Sequence, residues 1–114
     1  DLLVLINRRI EKLLDKDHQI GHAYFINVKD EFDLREVFNR NIIPLLQEYF
    51  YGDISKVGLI LGDKFLTKSN SHSNFAFAKF EHENAGEFAE RSSYIFEKYD
   101  QDIDGFVTAI KSIF

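Results

Sequence analysis

The chain repeats apolar residues every three or four positions along three stretches, which is the period of a helix with one buried face. These stretches cover residues 2–15, 33–53 and 103–114. In the longest of them the apolar stripe consists of Leu34, Val37, Phe38, Ile42, Leu45, Leu46, Tyr49 and Phe50. Each stripe needs another element to cover it, so the pattern predicts a mainly helical domain with a shared core.

The start of the longest stretch carries the residues of a helix N-terminus. Asp33 is the predicted N-cap, with Glu36 at the third helical position. Phe32 and Val37 flank this cap in the arrangement of a hydrophobic staple. We therefore expect a helix to begin at Asp33.

Pro44 interrupts the same stretch. Proline has no backbone N–H and its ring clashes with the preceding turn, so one unbroken helix would be kinked there. If a second helix restarts with Asn41 as its cap, Pro44 falls in a first turn, where the missing donor costs nothing. The sequence predicts two helices that meet near Asn41.

Shorter signals complete the expected fold. Residues 53–61 favour a short helix, although the run from Val57 to Leu61 also fits a buried strand. Residues 67–74 are rich in Ser and Asn and indicate a loop. Phe and Ala alternate in residues 75–80, and residues 94–99 alternate around Ile95 and Phe96. These segments predict two strands, paired as an antiparallel hairpin across a polar connection, residues 81–92. The expected class is mainly α, within α+β, with four to five helices and a small hairpin before the last helix.

Composition limits the function classes. The chain has 114 residues, enough for a single domain spanning residues 1–114, and phenylalanine, with 12 copies, is its main core former. A net charge of −5 does not provide the basic field that general nucleic-acid binding requires. The absence of cysteine fits a reducing compartment, and no apolar run approaches about 18 residues. We expect a soluble cytoplasmic protein that does not enter a membrane.

One acidic motif resembles the first half of a calcium-binding loop. Asp100, Asp102 and Asp104 stand at its first, third and fifth positions, followed by Gly105. The twelfth position, which should supply a bidentate carboxylate, is Lys111. Because a cation replaces two oxygen ligands there, we interpret the motif as an acidic turn that caps the last helix.

The histidines and a lysine-serine pair do not form a recognisable site. His18 and His22 are four residues apart, but Gly21 argues against a helix through both, and His72 and His82 lie in polar segments. Residues 62–69 contain the glycine, lysine and serine of a phosphate-binding loop but not at its spacing. The sequence therefore predicts no metal site and no catalytic residues.

Three blocks of the chain carry a family resemblance. Residues 6–10 read INRRI, residues 13–25 read LLDKDHQIGHAYF, and residues 42–53 read IIPLLQEYFYGD. Together they resemble the C-terminal part of McrB-type AAA+ GTPases, the motor subunits of methylcytosine-specific restriction systems. After Leu61 the resemblance extends to the order of elements, a hairpin followed by a terminal helix.

The resemblance implies a helical lid that follows an AAA+ nucleotide-binding core. The chain begins at Asp1 without an initiator methionine and ends on Phe114, so we expect a fragment of a larger protein. The fragment would hold no cofactor and hydrolyse nothing, whereas the intact parent would use GTP or ATP with magnesium. Implied partners are its own core, neighbouring subunits of a ring, a nuclease subunit, and DNA bound through other domains.

The resemblance also points to candidate site residues. His22, placed by Gly21, would contact the nucleotide, because an imidazole can donate a hydrogen bond to a phosphate. Arg8 and Arg9 would face the nucleotide or the next subunit, since guanidinium groups suit phosphate and carboxylate. The family usually has Gly-His-Ser-Tyr-Phe where this chain has alanine at position 23. We also expect Gly21 to adopt a left-handed or turn conformation.

Two other functions stay open from the sequence. The chain could be a free-standing helical protein–protein interaction domain, whose acidic helices dock a partner protein. It could also be a degenerate calcium-loop module. The apolar ends of the chain favour the lid over the free-standing domain.

Overall fold

A computed structural model describes residues 1–69, 77–89 and 93–114. In these ranges six α-helices accompany one antiparallel pair of strands, so the mainly helical class with a small sheet before the last helix is confirmed. The helices are α1 Leu2–Leu13, α2 Glu31–Val37, α3 Ile43–Tyr49, α4 Ser55–Leu61, α5 Ala85–Ala89 and α6 Ile103–Ile113; the strands are β1 Leu66–Ser69 and β2 Ser93–Phe96. None of the helices described is both long and apolar enough to cross a membrane.

The core is centred on three phenylalanine rings from distant parts of the chain. Phe38 lies 5.5 Å from Phe65 and 5.8 Å from Phe106, measured between ring centroids, and Phe65 lies 6.1 Å from Phe106. All three side chains are at most 1% exposed. Around them α1 packs on α4, α2 packs on α6, and α4 also contacts α6 and β1. Burial of such large rings is the main stabilising contribution to a small domain.

Helix α2 begins earlier than predicted. Asp30 is its N-cap and accepts a hydrogen bond from the Asp33 backbone N–H at 2.9 Å, so the assignment of Asp33 as the cap is wrong. The Asp33 side chain instead accepts from the Lys29 N–H at 3.1 Å. Two aspartates three residues apart both fit the capping pattern, and the sequence rule alone does not choose between them.

A π-helical turn, Phe38–Ile42, joins α2 to α3. The Ile43 N–H donates to the Phe38 carbonyl, five residues earlier, and Pro44 lies in the first turn of α3. The predicted break near Asn41 is therefore present as a change in helix type, but Asn41 lies inside the wide turn and is not a cap. A π turn contains one residue more than an α-helical turn. This widening reduces the clash between the Pro44 ring and the preceding carbonyl groups. Phe38 and Ile42 in this turn are fully buried.

The sheet pairs different strands from those predicted. β1 runs antiparallel to β2, with Leu66 opposite Phe96 and Ser69 opposite Ser93. Residues 77–80 are not a strand, and residues 75–76 lie outside the described ranges, so the predicted pairing of 75–80 with 94–99 is wrong. The predicted loop 67–74 likewise begins inside β1, and residues 70–74 lie outside the described ranges. Helix α5 occupies part of the predicted polar connection.

Tyr99 fixes the connection between β2 and α6. Its backbone has a φ of 58°, an unusual value for a bulky residue, and its carbonyl accepts from the Arg35 guanidinium at 2.9 Å. Its hydroxyl donates to the Lys64 carbonyl, and burial raises the pKa of this phenol. Asn39, one helical turn after Arg35, donates to the Lys98 carbonyl at 3.0 Å. Helix α2 and its π turn therefore hold the chain that leads into α6.

Candidate functional site

The candidate site lies on two short 3₁₀ turns that follow α1. The first turn is Lys16–His18 and the second is His22–Phe25, with Gly21 as the N-cap of the second. Gly21 has φ −76° and ψ 159°, an extended conformation open to any residue. Of the two predicted conformations, the left-handed one is therefore wrong, and Gly21 lies at the start of a turn. A Cβ added at Gly21 would meet nothing within 4 Å. The glycine is therefore not required for the shape of this turn.

Asn7 of α1 fixes the position of this segment. Its side-chain amide donates to the Ile20 carbonyl at 2.9 Å, and its amide oxygen accepts from the Ile20 N–H at 2.6 Å. The side chain of Ile20 is 3% exposed and belongs to the core. This double hydrogen bond places the backbone immediately before Gly21 and His22 against α1. Sequence reasoning did not identify Asn7, although an amide between the apolar positions Ile6 and Ile10 of a helix was an available signal.

Asp15 is the N-cap of the first turn. Its carboxylate accepts from the backbone N–H groups of Asp17 and His18, at 2.9 and 3.0 Å, and its Oδ1 lies 2.6 Å from the His18 ring Nδ1. The hydrogen bond from the His18 side chain is the largest of the effects that lower the pKa of Asp15. The His18 ring packs edge-on against Tyr49 of α3, with centroids 4.9 Å apart. This turn is thus tied to the helical body through an aromatic contact.

His22 projects from the second turn and is exposed. Tyr24 and Ile26, which follow it, are 39% and 74% exposed. An imidazole, a phenol ring and an aliphatic side chain are therefore exposed within five consecutive residues. These side chains can offer a hydrogen bond and apolar contact to a group brought against them.

The structure gives the two candidate arginines different surroundings. The Arg9 guanidinium donates to the Ile60 carbonyl of α4 at 2.6 Å and is half-buried. Arg8 is exposed on the outer side of α1. Of the pair, Arg9 joins two helices of the domain, and Arg8 presents its charge to the surroundings.

The acidic motif is an ordinary helix start. Asp102 is the N-cap of α6 and accepts from the Gly105 N–H at 2.8 Å, while Asp104 already belongs to the first turn of the helix. Asp100 accepts from the Asn39 side chain at 3.3 Å. Within the described ranges no three acidic or histidine side chains are grouped so as to hold a metal ion. The interpretation of this motif as a capping turn is confirmed.

The histidines lie apart. His18 and His22 belong to separate 3₁₀ turns and not to one helix. His82 is exposed in the segment before α5, where its Nδ1 accepts from the Asn84 N–H at 3.0 Å. His72 lies outside the described residues. No pair among the three described histidines forms the helical ligand pair that zinc would favour.

Comparison with known proteins bears on the first half of the chain. No curated protein matches the sequence. The family described as "McrB, alpha-helical lid domain" matches residues 1–58, which is 58 of the 114 residues and so just over half. The matched range contains Asn7, both candidate arginines, the two 3₁₀ turns and the π turn, and it ends inside α4. The chain therefore belongs to the McrB alpha-helical lid domain family.

Proposed function

We propose that this domain is the lid of an McrB-like AAA+ motor that hydrolyses GTP or ATP with magnesium. The motor would form a ring and drive a nuclease subunit that cuts DNA carrying modified cytosine. In this arrangement the lid would close over a nucleotide bound to the core and transmit its state to the neighbouring subunit. DNA recognition and phosphate chemistry would reside in other domains.

The family match over residues 1–58 carries this proposal, together with the construction of the turn inside that range. Asn7 holds Ile20 against α1 through two hydrogen bonds, and the exposed His22 follows two residues later. A nucleotide contact needs a side chain that is accessible and held on a well-positioned backbone. His22 meets both conditions.

His22 would donate a hydrogen bond to a phosphate oxygen when the lid closes, and the exposed Tyr24 and Ile26 would pack against the core. Arg8, whose charge faces outward, would contact the nucleotide or the adjacent subunit. Arg9 would contribute by holding α1 on α4.

The first test is the coding sequence upstream of Asp1. A G-x-x-x-x-G-K-[ST] motif after a predicted strand, within a couple of hundred codons, would support the motor. A start codon close to Asp1 without that motif would contradict it and would favour a free-standing interaction domain.

The second test is His22→Ala in the full-length protein, with the rate of nucleotide hydrolysis as the readout. We expect turnover to fall by about tenfold or more, as for the loss of a hydrogen bond that strengthens in the transition state. The melting temperature should stay unchanged because the side chain is exposed. Tyr51→Ala, which removes an aromatic ring that is 86% exposed elsewhere in the matched range, is the control and should keep wild-type turnover. Normal turnover in His22→Ala would remove His22 from the mechanism.

A further inference from the structure

A segment between the two strands carries an exposed group of aromatic side chains, which we name the phenylalanine patch: Phe77, Phe80 and Phe88. Phe80 is 79% exposed, and Phe77 and Phe88 are 52% and 38% exposed. Such a concentration of exposed aromatic surface within 12 residues is typical of an interaction site on a soluble protein.

The segment has a defined local structure. The Asn84 carbonyl accepts from the Phe88 N–H at 3.0 Å, and the His82 carbonyl accepts from the Ala85 N–H at 3.2 Å. The rings of His82 and Phe88 lie 5.4 Å apart between centroids. These contacts hold the start of α5 and the residues before it as one unit.

The patch surrounds a hollow. Its volume is about 280 Å³, and it is lined by Phe77, Ala78, Phe80, His82, Ala85 and Phe88. This volume lies just under the range of about 300–1,000 Å³ that is usual for small-molecule sites. Its lining is mainly apolar, which suits an inserted apolar side chain of a macromolecule. Aromatic or aliphatic anchors in small pockets carry most of the affinity at many protein interfaces.

The charged residues of the same segment indicate the sign of the partner's charge. Glu81, Glu83 and Glu87 are exposed in this segment, and Lys79 is the single basic residue of residues 77–89, which gives a net charge of −2 with histidine neutral. A second copy would bring glutamates against glutamates, and an anionic membrane would be repelled in the same way. A surface with lysine or arginine beside its apolar anchor would be attracted.

We infer that the phenylalanine patch is a docking site for a basic, apolar surface of another protein, which inserts an apolar side chain into the hollow. The inference is independent of the proposed motor function, because the patch lies outside the family match over residues 1–58. The patch gives this lid a contact surface that is separate from the turn that bears His22.

The experiment measures binding of two fluorescent amphipathic helical peptides by anisotropy. Both carry the same leucine stripe, and one has lysine where the other has glutamate on the polar face. We expect the lysine peptide to bind at least about tenfold more tightly, with an affinity that falls as salt is added. Phe80→Ala should weaken binding by about tenfold or more, since the anchor pocket is lost. The triple change Glu81→Gln, Glu83→Gln and Glu87→Gln should weaken it and reduce its salt dependence.

Matched controls test whether the loss of any exposed aromatic ring, or of any three acidic charges, would weaken binding in the same way. Tyr51→Ala removes an aromatic ring that is 86% exposed elsewhere, and Glu11→Gln, Glu31→Gln and Glu48→Gln together remove the same number of exposed charges elsewhere. Neither control should change binding by more than about twofold. Circular dichroism of every variant verifies that it is folded.

Three outcomes of the peptide experiment would overturn the inference. The two peptides could bind equally, the Phe80→Ala change could leave the affinity as it was, or the controls could weaken binding as much as the patch variants. Sedimentation of the protein alone tests whether a second copy occupies the patch. Concentration-dependent association that Phe80→Ala abolishes would show that it does, and would refute the basic partner. Binding of the patch to anionic lipid vesicles would refute it as well.

Discussion

Asn7 and Ile20 exchange two hydrogen bonds, in which a helix side chain takes the place that a backbone group would fill in a sheet. Ile20 is almost fully buried, so its N–H and carbonyl have little access to water and need these partners. Ile20 lies between the two turns of the candidate site, so these bonds fix the position of His22 relative to α1.

We expect Asn7→Ala to lower the free energy of unfolding by about 1–3 kcal/mol, because it leaves both backbone groups of Ile20 without their partner. Asn7→Asp keeps the acceptor for the Ile20 N–H but sets a carboxylate oxygen against the Ile20 carbonyl, so it should destabilise the domain as well. Urea unfolding followed by circular dichroism measures both. Equal stability of Asn7→Ala and the wild type would show that water replaces the amide at no cost.

Arg9→Ala should destabilise the domain by about 1–2 kcal/mol, since the guanidinium bond to the Ile60 carbonyl joins α1 to α4. Arg8→Ala is the matched control one residue away and should stay within about 0.5 kcal/mol, because Arg8 is exposed. The denaturant midpoints of the two variants measure which arginine contributes more to stability. The reverse order would mean that the bond to α4 contributes less than the outer charge.

Asp15 gives the domain a pH dependence with a definite sign. Its pKa is lowered in the folded state, mainly by the hydrogen bond from the His18 ring, so the carboxylate stabilises the fold above its ordinary pKa of about 3.9. As the pH falls through that value, the unfolded chain takes up the proton first, and this contribution to stability decreases.

The measurement is the free energy of unfolding at a series of pH values from 6 downward to about 2.5, a range that includes the ordinary pKa of an aspartate. Asp15→Asn should flatten the profile below about pH 4. Asp17→Asn is the control and should keep the wild-type slope, since Asp17 contributes its backbone N–H to this turn. A profile for Asp15→Asn that follows the wild type would assign the acid sensitivity to other carboxylates.

Asp102 is expected to act as a helix cap and not as a calcium ligand. Asp102→Ala should cost about 1 kcal/mol, because the Gly105 N–H loses its acceptor. Asp102→Asn should be nearly neutral, since asparagine caps helices about as well as aspartate. Thermal unfolding with and without millimolar calcium separates the two roles. A calcium-dependent rise in the melting temperature that disappears in Asp102→Asn would restore the metal interpretation.

The sequence by itself determined the helical class, the position of α1, the capping turn before α6 and the membership of the first half in its family. These features depend on signals a few residues long, such as apolar spacing, an aspartate before a helix, and ordered sequence blocks. Where two local signals were equivalent, as with Asp30 and Asp33, the sequence could not choose. The alternation around residues 75–80 predicted a strand, yet residues 77–80 do not form one.

Tertiary structure decided which segments meet. β2 pairs with β1 because Phe65 and Leu66 are buried beside α4, so the neighbouring backbone is the partner within reach. Contacts across the chain also decided that Arg9 binds the carbonyl of Ile60 and that Asn7 binds Ile20. Such partners are 13 to 51 residues apart. No local pattern specifies them, because a hydrogen bond between distant residues depends on how the whole core packs.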